Sequence, residues 1–571
     1  MAETVVRRSM ADLPEPIIHH ILSFLSGDQA AQTTVLCKAW LNAWLTRPTL
    51  AFSSAFFFSK KKKRTKEFCW HPPDRDEIRE YNNFAKYVER SFDRYHKQKT
   101  GIDTIELEID KGVFDWEPVI RRCIQVAAED SVKNLKLSLC NSELPEILLF
   151  EAKSLVDLTL SQVKLVERST EKIKPFDRLK RLSLNYVEFY DVPFESIISC
   201  CQSVEILEIS YCKNGNDSDQ YFKVAGQNAL KELIAVLSHP QTLILCEAPS
   251  LESLTCKSDG KHGQYPCLLN LHSSQYENLK SLLLSGVGVG DVFFVNLAHY
   301  FPHLESLSVQ YCQDLRNIKI SSPSLKRIQL VRNWGLRKAQ FDVPSIIKFE
   351  YDDRKCRIIP EFSFAAASSR WVSCFTICTQ EDAGNSCFLQ LKKLVTSLAQ
   401  SAVSLKLMFR WNEAFNLEEA MKDGGFDEPQ VLQELFSKSI DWNFRVSSAY
   451  SMLDVIFWVC RPKAIVDFWI NKPRYNERLH FLYTKLMFRK NHKQFHNSQQ
   501  MKFWQSDLRE VKVEIFHRCV IHSELGLDFI LVGEGEQLEE TLDCKDFLSF
   551  LRTRAPSWGM MIKFKLDWET N

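Results

Sequence analysis

Two excesses are missing from this 571-residue chain: charge of one sign and a long uninterrupted apolar run. Lys plus Arg number 73 against 72 for Asp plus Glu, so bulk charge recommends no polyanionic partner. The basic domain or stripe that nucleic-acid binders usually carry is not evident, and nucleic acid is not expected as a partner. The longest apolar runs are too short to span a membrane, and the first 30 residues lack the apolar core and cleavage site of a secretory leader. No membrane association is expected. The 18 cysteines are scattered, without repeated C-x-x-C pairs, which argues against a metal framework and for a reducing nucleus or cytoplasm. Most then act as small buried hydrophobes. The close pairs Cys200–Cys201 and Cys374…Cys378 are read as structural.

Catalytic signatures are also missing. GVGVGD at 286–291 lacks the Lys-Ser/Thr of a phosphate loop and the spacing of a dinucleotide fingerprint, and reads as a tight turn. His19, His20, His492 and His496 have neither partner ligands nor an HExxH context. No Gly-x-Ser-x-Gly elbow occurs. The expectation is a non-enzyme with no catalytic residue, metal or cofactor.

What is present begins at residues 11–52, ADLPEPIIHHILSFLSGDQAAQTTVLCKAWLNAWLTRPTLAF. Asp12 and Glu15 have capping-box spacing ahead of a helix that tolerates Pro14 at its start. Ile17, Ile18, Ile21, Leu22 and Leu25 share one helical stripe, and Leu36, Trp40 and Trp44 recur every four residues. So short a segment does not bury this surface alone. It is either a helical cap on the following domain or a docking surface. Leu-Pro, then Ile-Leu-x-x-Leu, then Lys-x-Trp in that order resembles the F-box, with Leu13, Pro14, Ile21, Leu22, Leu25, Leu36, Lys38 and Trp40 in the signature places. Cys37 stands where plant members usually carry serine. The resemblance implies docking to a Skp-type adaptor, and through it a cullin, with Leu13, Pro14, Ile17, Ile21, Leu22, Leu25, Leu36 and Trp40 supplying the contacts and the packing beneath them.

From Ile102 to Tyr351 the chain repeats the frame L-x-x-L-x-L. Ten units, from Val132/Leu135/Leu137 to Ile346/Phe349/Tyr351, start 21 to 28 residues apart, beside the leucine-rich-repeat range. Three residues past the last apolar site stand Cys140, Cys212, Cys312 and Asn333. The pattern resembles the cysteine-containing leucine-rich repeats of plant F-box proteins. An earlier unit, Ile102/Ile105/Leu107, is expected to open the array, and the Leu230 and Leu251 units match least well. Such a frame predicts stacked short strands forming a parallel concave sheet. The expected architecture is α/β: a small helical F-box at 1–55, a linker and cap helix at 56–100, a solenoid at 101–380 and a mixed α+β cap at 381–571. Phe84, Tyr87, Val88 and Phe92 mark the cap helix. Val511/Val513/Ile515 and Ile562/Phe564/Leu566/Trp568 mark strands, with a helix at 538–554 between them. Residues 60–66, KKKKRTK, read as a solvated linker or a nuclear-import signal.

Three function classes fit this layout. One is the substrate receptor of a Skp–cullin–F-box ubiquitin ligase, the target protein lying on the solenoid. The others are a ligase-independent scaffold and a small-molecule receptor of the same architecture. A polyanion-dependent receptor would gather basic residues on the concave wall, yet Lys136, Arg181, Lys257, Arg327 and Lys348 are spread over distant units. Outward positions are mostly small and polar: Asp157, Thr159, Ser161; Ser183, Asn185; Ser253, Thr255; Ser306, Ser308, Gln310. Ile206, Ile234 and Val236 break that rule. They are read as a target-binding patch rimmed by Glu208, Glu232 and Arg181, unless a loop at 212–228 folds over them.

Overall fold

The computed structural model describes residues 13–25, 27–54, 75–98, 101–110, 114–145, 151–166, 175–190, 192–215, 221–238, 240–260, 266–272, 276–356, 359–365, 371–379, 386–398 and 402–409. Beyond these it describes 430–432, 434–436, 457, 460–469, 473–487, 504–516, 519–522, 528–531, 536–538, 544–554 and 560–569. Asp12, residues 60–66, His492 and His496 fall outside them. The chain divides into two compact units, Met1–Ser281 and Leu282–Asn571.

The N-terminal unit opens with helices α1 (Glu15–Ser23), α2 (Gly27–Gln32) and α3 (Lys38–Thr46), with a 3-10 turn at Thr33–Val35 between the last two. Ile18, Leu22, Ala30, Trp40 and Ala43 form their buried core, and Leu13, Ile21, Leu25, Cys37 and Trp44 pack around it. Two sequence expectations are corrected here. Pro14 is the N-cap of α1 with no side-chain cap bond, and Glu15 instead accepts a hydrogen bond from the Thr46 hydroxyl at 3.0 Å, tying α1 to α3. Leu36 is not on the Trp40 stripe. Cys37 is fully extended at φ −169°, ψ 173°, and this break turns Leu36 outward ahead of α3.

The chain leaves α3 directly into β1 (Thr49–Ser53), which pairs in parallel with β2 (Thr104–Glu108), Leu50 opposite Ile105 and Phe52 opposite Leu107. The sheet therefore starts one strand earlier than the Ile102 unit. The frame missed it because β1 carries only the strand half of a repeat, with α4 (Arg75–Gln98) between it and the next. Phe84, Val88 and Phe92 of α4 are buried, and Phe92 meets Phe52 edge-on at 5.4 Å.

Beyond β2 follow β3 (Asn134–Pro145), β4 (Asp157–Val166), β5 (Arg181–Phe189), β6 (Ile206–Ser210), β7 (Glu232–Leu237) and β8 (Ser253–Ser258). All are parallel, and their frame positions lie in register. The Leu230 and Leu251 units are β7 and β8, as regular as the rest. The opposite wall explains the uneven repeat lengths. It is a 13-residue helix (Glu117–Glu129) between β2 and β3, a six-residue helix (Phe194–Ser199) between β5 and β6, and then a second parallel sheet of Tyr221–Val224, Thr242–Leu245 and Leu268–Leu271. The Asn/Cys position works as expected. Cys212 is buried with its thiol 3.3 Å from the Leu184 carbonyl.

In the C-terminal unit, parallel pairing joins β9 (Ser306–Gln310), β10 (Arg327–Val331), β11 (Lys348–Cys356), β12 (Val372–Thr379), β13 (Ala402–Phe409), β14 (Glu434–Phe436) and β15 (Ala464–Trp469). The ladder thus runs well past the last legible frame. Here too Asn333 fills the Asn/Cys position, accepting from the Cys312 N–H at 2.9 Å and donating to the Val309 carbonyl at 2.9 Å. Two antiparallel strands follow: β16 (Leu508–Phe516) and β17 (Met560–Trp568), with Val513 opposite Phe564 and Ile515 opposite Ile562, and β17 also pairs with β15. A helix at Cys544–Arg554 lies between them in sequence. The expected class, an N-terminal helical segment, a parallel-sheet solenoid and a mixed C-terminal region, is what the structure has. No helix among the described residues is long and apolar enough to cross a membrane.

Burial pushes the thiols of Cys123, Cys201 and Cys212 up to about 12. An acid whose folded pKa is raised destabilises the fold once the unfolded chain ionises. Stability should therefore be unaffected near pH 7 and decline as pH rises through about 9. Native alkylation at pH 8, read by peptide mass mapping, should spare these three and label half-buried Cys37, Cys140, Cys200 and Cys246 ahead of them.

Candidate functional site

Two surfaces of the N-terminal unit stand out. On the helical segment, the residues expected to face an adaptor separate into two layers. Leu22 and Trp40 are buried, Leu13, Ile21 and Leu25 are half-buried, and Ile17, Pro14 and Leu36 are exposed. The sequence reading missed Phe24 and Val35, which are 75% and 86% exposed. Both lie at ends, Phe24 as the C-cap of α1 and Val35 in the 3-10 turn, so no helical period picks them out. Ile17, Phe24, Val35, Leu36 and Leu41 leave large apolar side chains in water, an arrangement that favours a partner.

This segment is fastened to the sheet. The Tyr95 hydroxyl donates to the Arg47 carbonyl at 2.8 Å. The Arg94 guanidinium lies 5.6 Å from the Trp44 ring and Arg47 lies 5.4 Å from it. The Asp110 N–H donates to Ser54 Oγ at 2.9 Å just past β1.

The second surface is the outward face of β1–β8. Register places Ile206 between Arg181 and Glu232, Ile234 between Glu208 and Thr255, and Val236 between Ser210 and Lys257. All three apolar residues are half-exposed, but they meet diagonally, with Glu208 and Glu232 interleaved. The described parts of the 212–228 loop do not cover them. Lys213–Asn214 pairs with β5, and Tyr221–Val224 belongs to the second sheet. Arg181 turns the other way, to Asp157 at 3.5 Å, and Lys136 is paired with Glu106 at 3.0 Å. Glu208 accepts from the Ser183 hydroxyl at 3.1 Å. Neither Glu208 nor Glu232 has a cationic partner among the described residues.

At the N-terminal ends of these strands Lys180, Glu205 and Lys231 form an ion-pair ladder, both contacts 2.7 Å, and Glu252 with Lys280 continues it at 2.9 Å. The hydrogen bonds from Lys180 and Lys231 hold the Glu205 carboxyl down to about 2. At the other end, the chain turns through positive φ two residues after the last apolar site of three successive frames, at Gln162 (53°), Tyr186 (53°) and Tyr211 (55°). L-residues pay about 1–2 kcal/mol for that region. In the C-terminal unit the same offset holds Gly286, Tyr311 and Arg332, all at positive φ. Tyr186 and Tyr211 are 48% and 38% exposed and stack on each other, centroids 4.7 Å apart and planes 9° from parallel. They lie outside the six positions of the repeat frame, so no apolar period marks them.

Comparison with known proteins agrees with this geometry. Residues 120–270 match the family model described as the leucine-rich repeats of FBD-associated F-box protein At5g56370. The chain is thus similar to plant F-box/leucine-rich-repeat proteins, the family model covering its repeat region. It is 26% identical over 371 residues to an FBD-associated F-box protein of Arabidopsis thaliana, At1g32375, covering 58% of this chain and 79% of that protein. It is 24% identical over 303 residues to At5g22720, a second FBD-associated F-box protein of that plant, covering 51% and 54%. Against the Arabidopsis F-box protein At3g59150 the figures are 26% over 307 residues, 50% and 59%. The chain thus spans only a little over half of two of these three relatives.

Two stability measurements follow. Cys37 is the N-cap of α3 and makes no side-chain cap bond, so Cys37→Ser should stabilise the N-terminal helical segment by about 1 kcal/mol. At Tyr186 and Tyr211, glycine removes about 1 kcal/mol of backbone strain and forfeits a stacking contact worth about 0.5–1.5 kcal/mol. Alanine forfeits the contact and keeps the strain. Each Gly variant should therefore exceed its Ala counterpart by about 1 kcal/mol in chemical denaturation.

Proposed function

We propose that this protein is the substrate-recognition subunit of a Skp–cullin–F-box ubiquitin ligase. On this reading it holds a Skp-type adaptor, and through it a cullin, by the N-terminal helices, and a target protein by the outward face of β1–β8. The observation that carries it is the two-layered helical segment: Trp40 and Leu22 form a private core, while Phe24, Val35 and Leu36 are left in water. A segment serving only as a cap on the sheet would turn those side chains inward. The chain itself performs no chemistry. Its contribution is to raise the local concentration of target lysines near a charged conjugating enzyme. Nucleus or cytoplasm follows as its place of action. The small-molecule alternative finds less support, since Lys136 and Arg181 of the outward face are each engaged by a neighbouring carboxylate.

Val35→Asp with Leu36→Asp tests the adaptor surface. Both side chains are more than half exposed, so the variant should fold normally and lose adaptor affinity by roughly 30-fold or more in a purified binding assay. Trp40→Ala instead removes core and should cost about 3–5 kcal/mol of F-box stability. Undiminished adaptor binding by the double Asp variant would sink the assignment.

For the target surface, Ile206→Asp with Ile234→Asp should abolish target capture yet leave adaptor binding intact. Affinity capture with and without proteasome inhibition reads both. A large drop in melting temperature for this variant would mean that the pair belongs to the core.

A further inference from the structure

Resting on the reading of β1–β8 as the target surface, we infer that its recognition element is an arginine receptor. An arginine-bearing segment of the target lays its guanidinium on the Tyr186–Tyr211 pair and continues along the same strands towards Glu208 and Glu232.

Stacking at 4.7 Å uses one face of each ring and leaves the opposite face of each. Neither hydroxyl has a hydrogen-bond partner among the described residues, and both rings stand well out into water. The polar groups further up the same strands are mostly acceptors. The Asn185 side-chain oxygen, adjacent in sequence to Tyr186, is buried without a partner. Glu208, three residues before Tyr211, and Glu232 on the next strand carry uncompensated negative charge beside neighbours whose charges are paired. Exposed stacked rings at the end of strands that carry uncompensated carboxylates call for a planar cation. Among side chains that is the guanidinium.

The C-terminal unit holds an internal precedent. Tyr311 and Arg332 occupy the same offset in adjacent repeats that Tyr186 and Tyr211 occupy in theirs, also at positive φ. There the guanidinium carbon lies 5.5 Å from the Tyr311 ring centroid, and Arg332 donates to the Tyr311 hydroxyl at 2.7 Å. One unit therefore supplies from within the cation that the other leaves to a ligand. A tyrosine at this offset is also conformationally expensive where glycine serves at Gly286. Strain of this kind persists where the side chain is used.

The test uses the full-length protein and a displayed library of random peptides. The best binder is then synthesised alongside a counterpart with each arginine replaced by neutral citrulline. Selected peptides should be enriched in arginine over the naive library. The citrulline counterpart should bind about tenfold more weakly, as should the arginine peptide to Tyr186→Gly/Tyr211→Gly or Glu208→Gln/Glu232→Gln protein. Two results overturn the inference and leave the target surface standing. One is a lack of arginine enrichment among peptides sensitive to Ile206→Asp/Ile234→Asp; the other is equal binding of such peptides by the tyrosine variant. Absence of any selected binder overturns the inference, and peptides indifferent to every one of these variants overturn both it and the reading on which it rests.

Discussion

Parallel pairing in a fixed register is the interaction on which the N-terminal unit depends, because no repeat can bury its own apolar pair. Leu158 and Leu160 are covered only because β3 and β5 present Leu135, Leu137, Leu182 and Leu184 at the same heights. A slip of one residue would exchange these with Thr159 and Ser183 and turn the core outward. The same register aligns Lys180, Glu205 and Lys231 into their ladder, each ion pair small alone but consistent with a single alignment. It also aligns the left-handed turns that place Tyr186 over Tyr211. Core, charge ladder and aromatic pair are three readouts of one alignment.

The positive-φ turn has a mechanical role as well. The N–H of Tyr211 donates to the Val236 carbonyl at 2.9 Å, that of Tyr311 to Val331 at 2.9 Å, and that of Gly286 to Gln310 at 2.8 Å. Each turn is thereby stitched to the strand that follows. The backbone demand is set by the repeat, whereas the side chain is not, as Gln162, Tyr186, Tyr211, Gly286, Tyr311 and Arg332 all meet it. A position whose backbone is fixed by the fold and whose side chain stands outside the core is free to vary for recognition.

How much of this was legible follows from period. Apolar residues recurring at a fixed offset announced the repeat strands, Phe84/Val88/Phe92 on α4, and the alternating strands that became β16 and β17, and misled only at Leu36, where extended Cys37 breaks the helix. Features without a period stayed hidden. β1 carries a single Leu-Ala-Phe alternation separated by a long helix from its neighbour. Phe24 and Val35 occupy helix ends. Tyr186 and Tyr211 lie just beyond the frame. Beyond residue 380 the apolar signal changes from Leu to a mixture that includes many aromatics. Just before this point Phe341, Phe349, Phe362 and Phe375 already form an edge-to-face network, so a leucine frame fades while the strand ladder does not. The concave patch was half legible. The sequence identified Ile206, Ile234 and Val236 as outward, but not that carboxylates separate them or that Arg181 pairs with Asp157.

The early start of the sheet bears on how a receptor of this kind would work. Had the helical segment been joined by residues 56–74 alone, its position relative to Tyr211 would vary with linker conformation, and effective concentration would be spread over that volume. Instead α3 runs into β1 across two residues, β1 is hydrogen-bonded to β2 along its whole length, and Arg94, Tyr95 and Phe92 of α4 grip Trp44, Arg47 and Phe52 from the side. Within this unit the N-terminal helices and the outward face of β5–β7 are therefore separated by a short stack of hydrogen-bonded strands. On the ligase reading, that stack sets where a bound target is presented, and changing the number of strands between β1 and β5 would move the target by about 4.8 Å per strand without altering either binding surface.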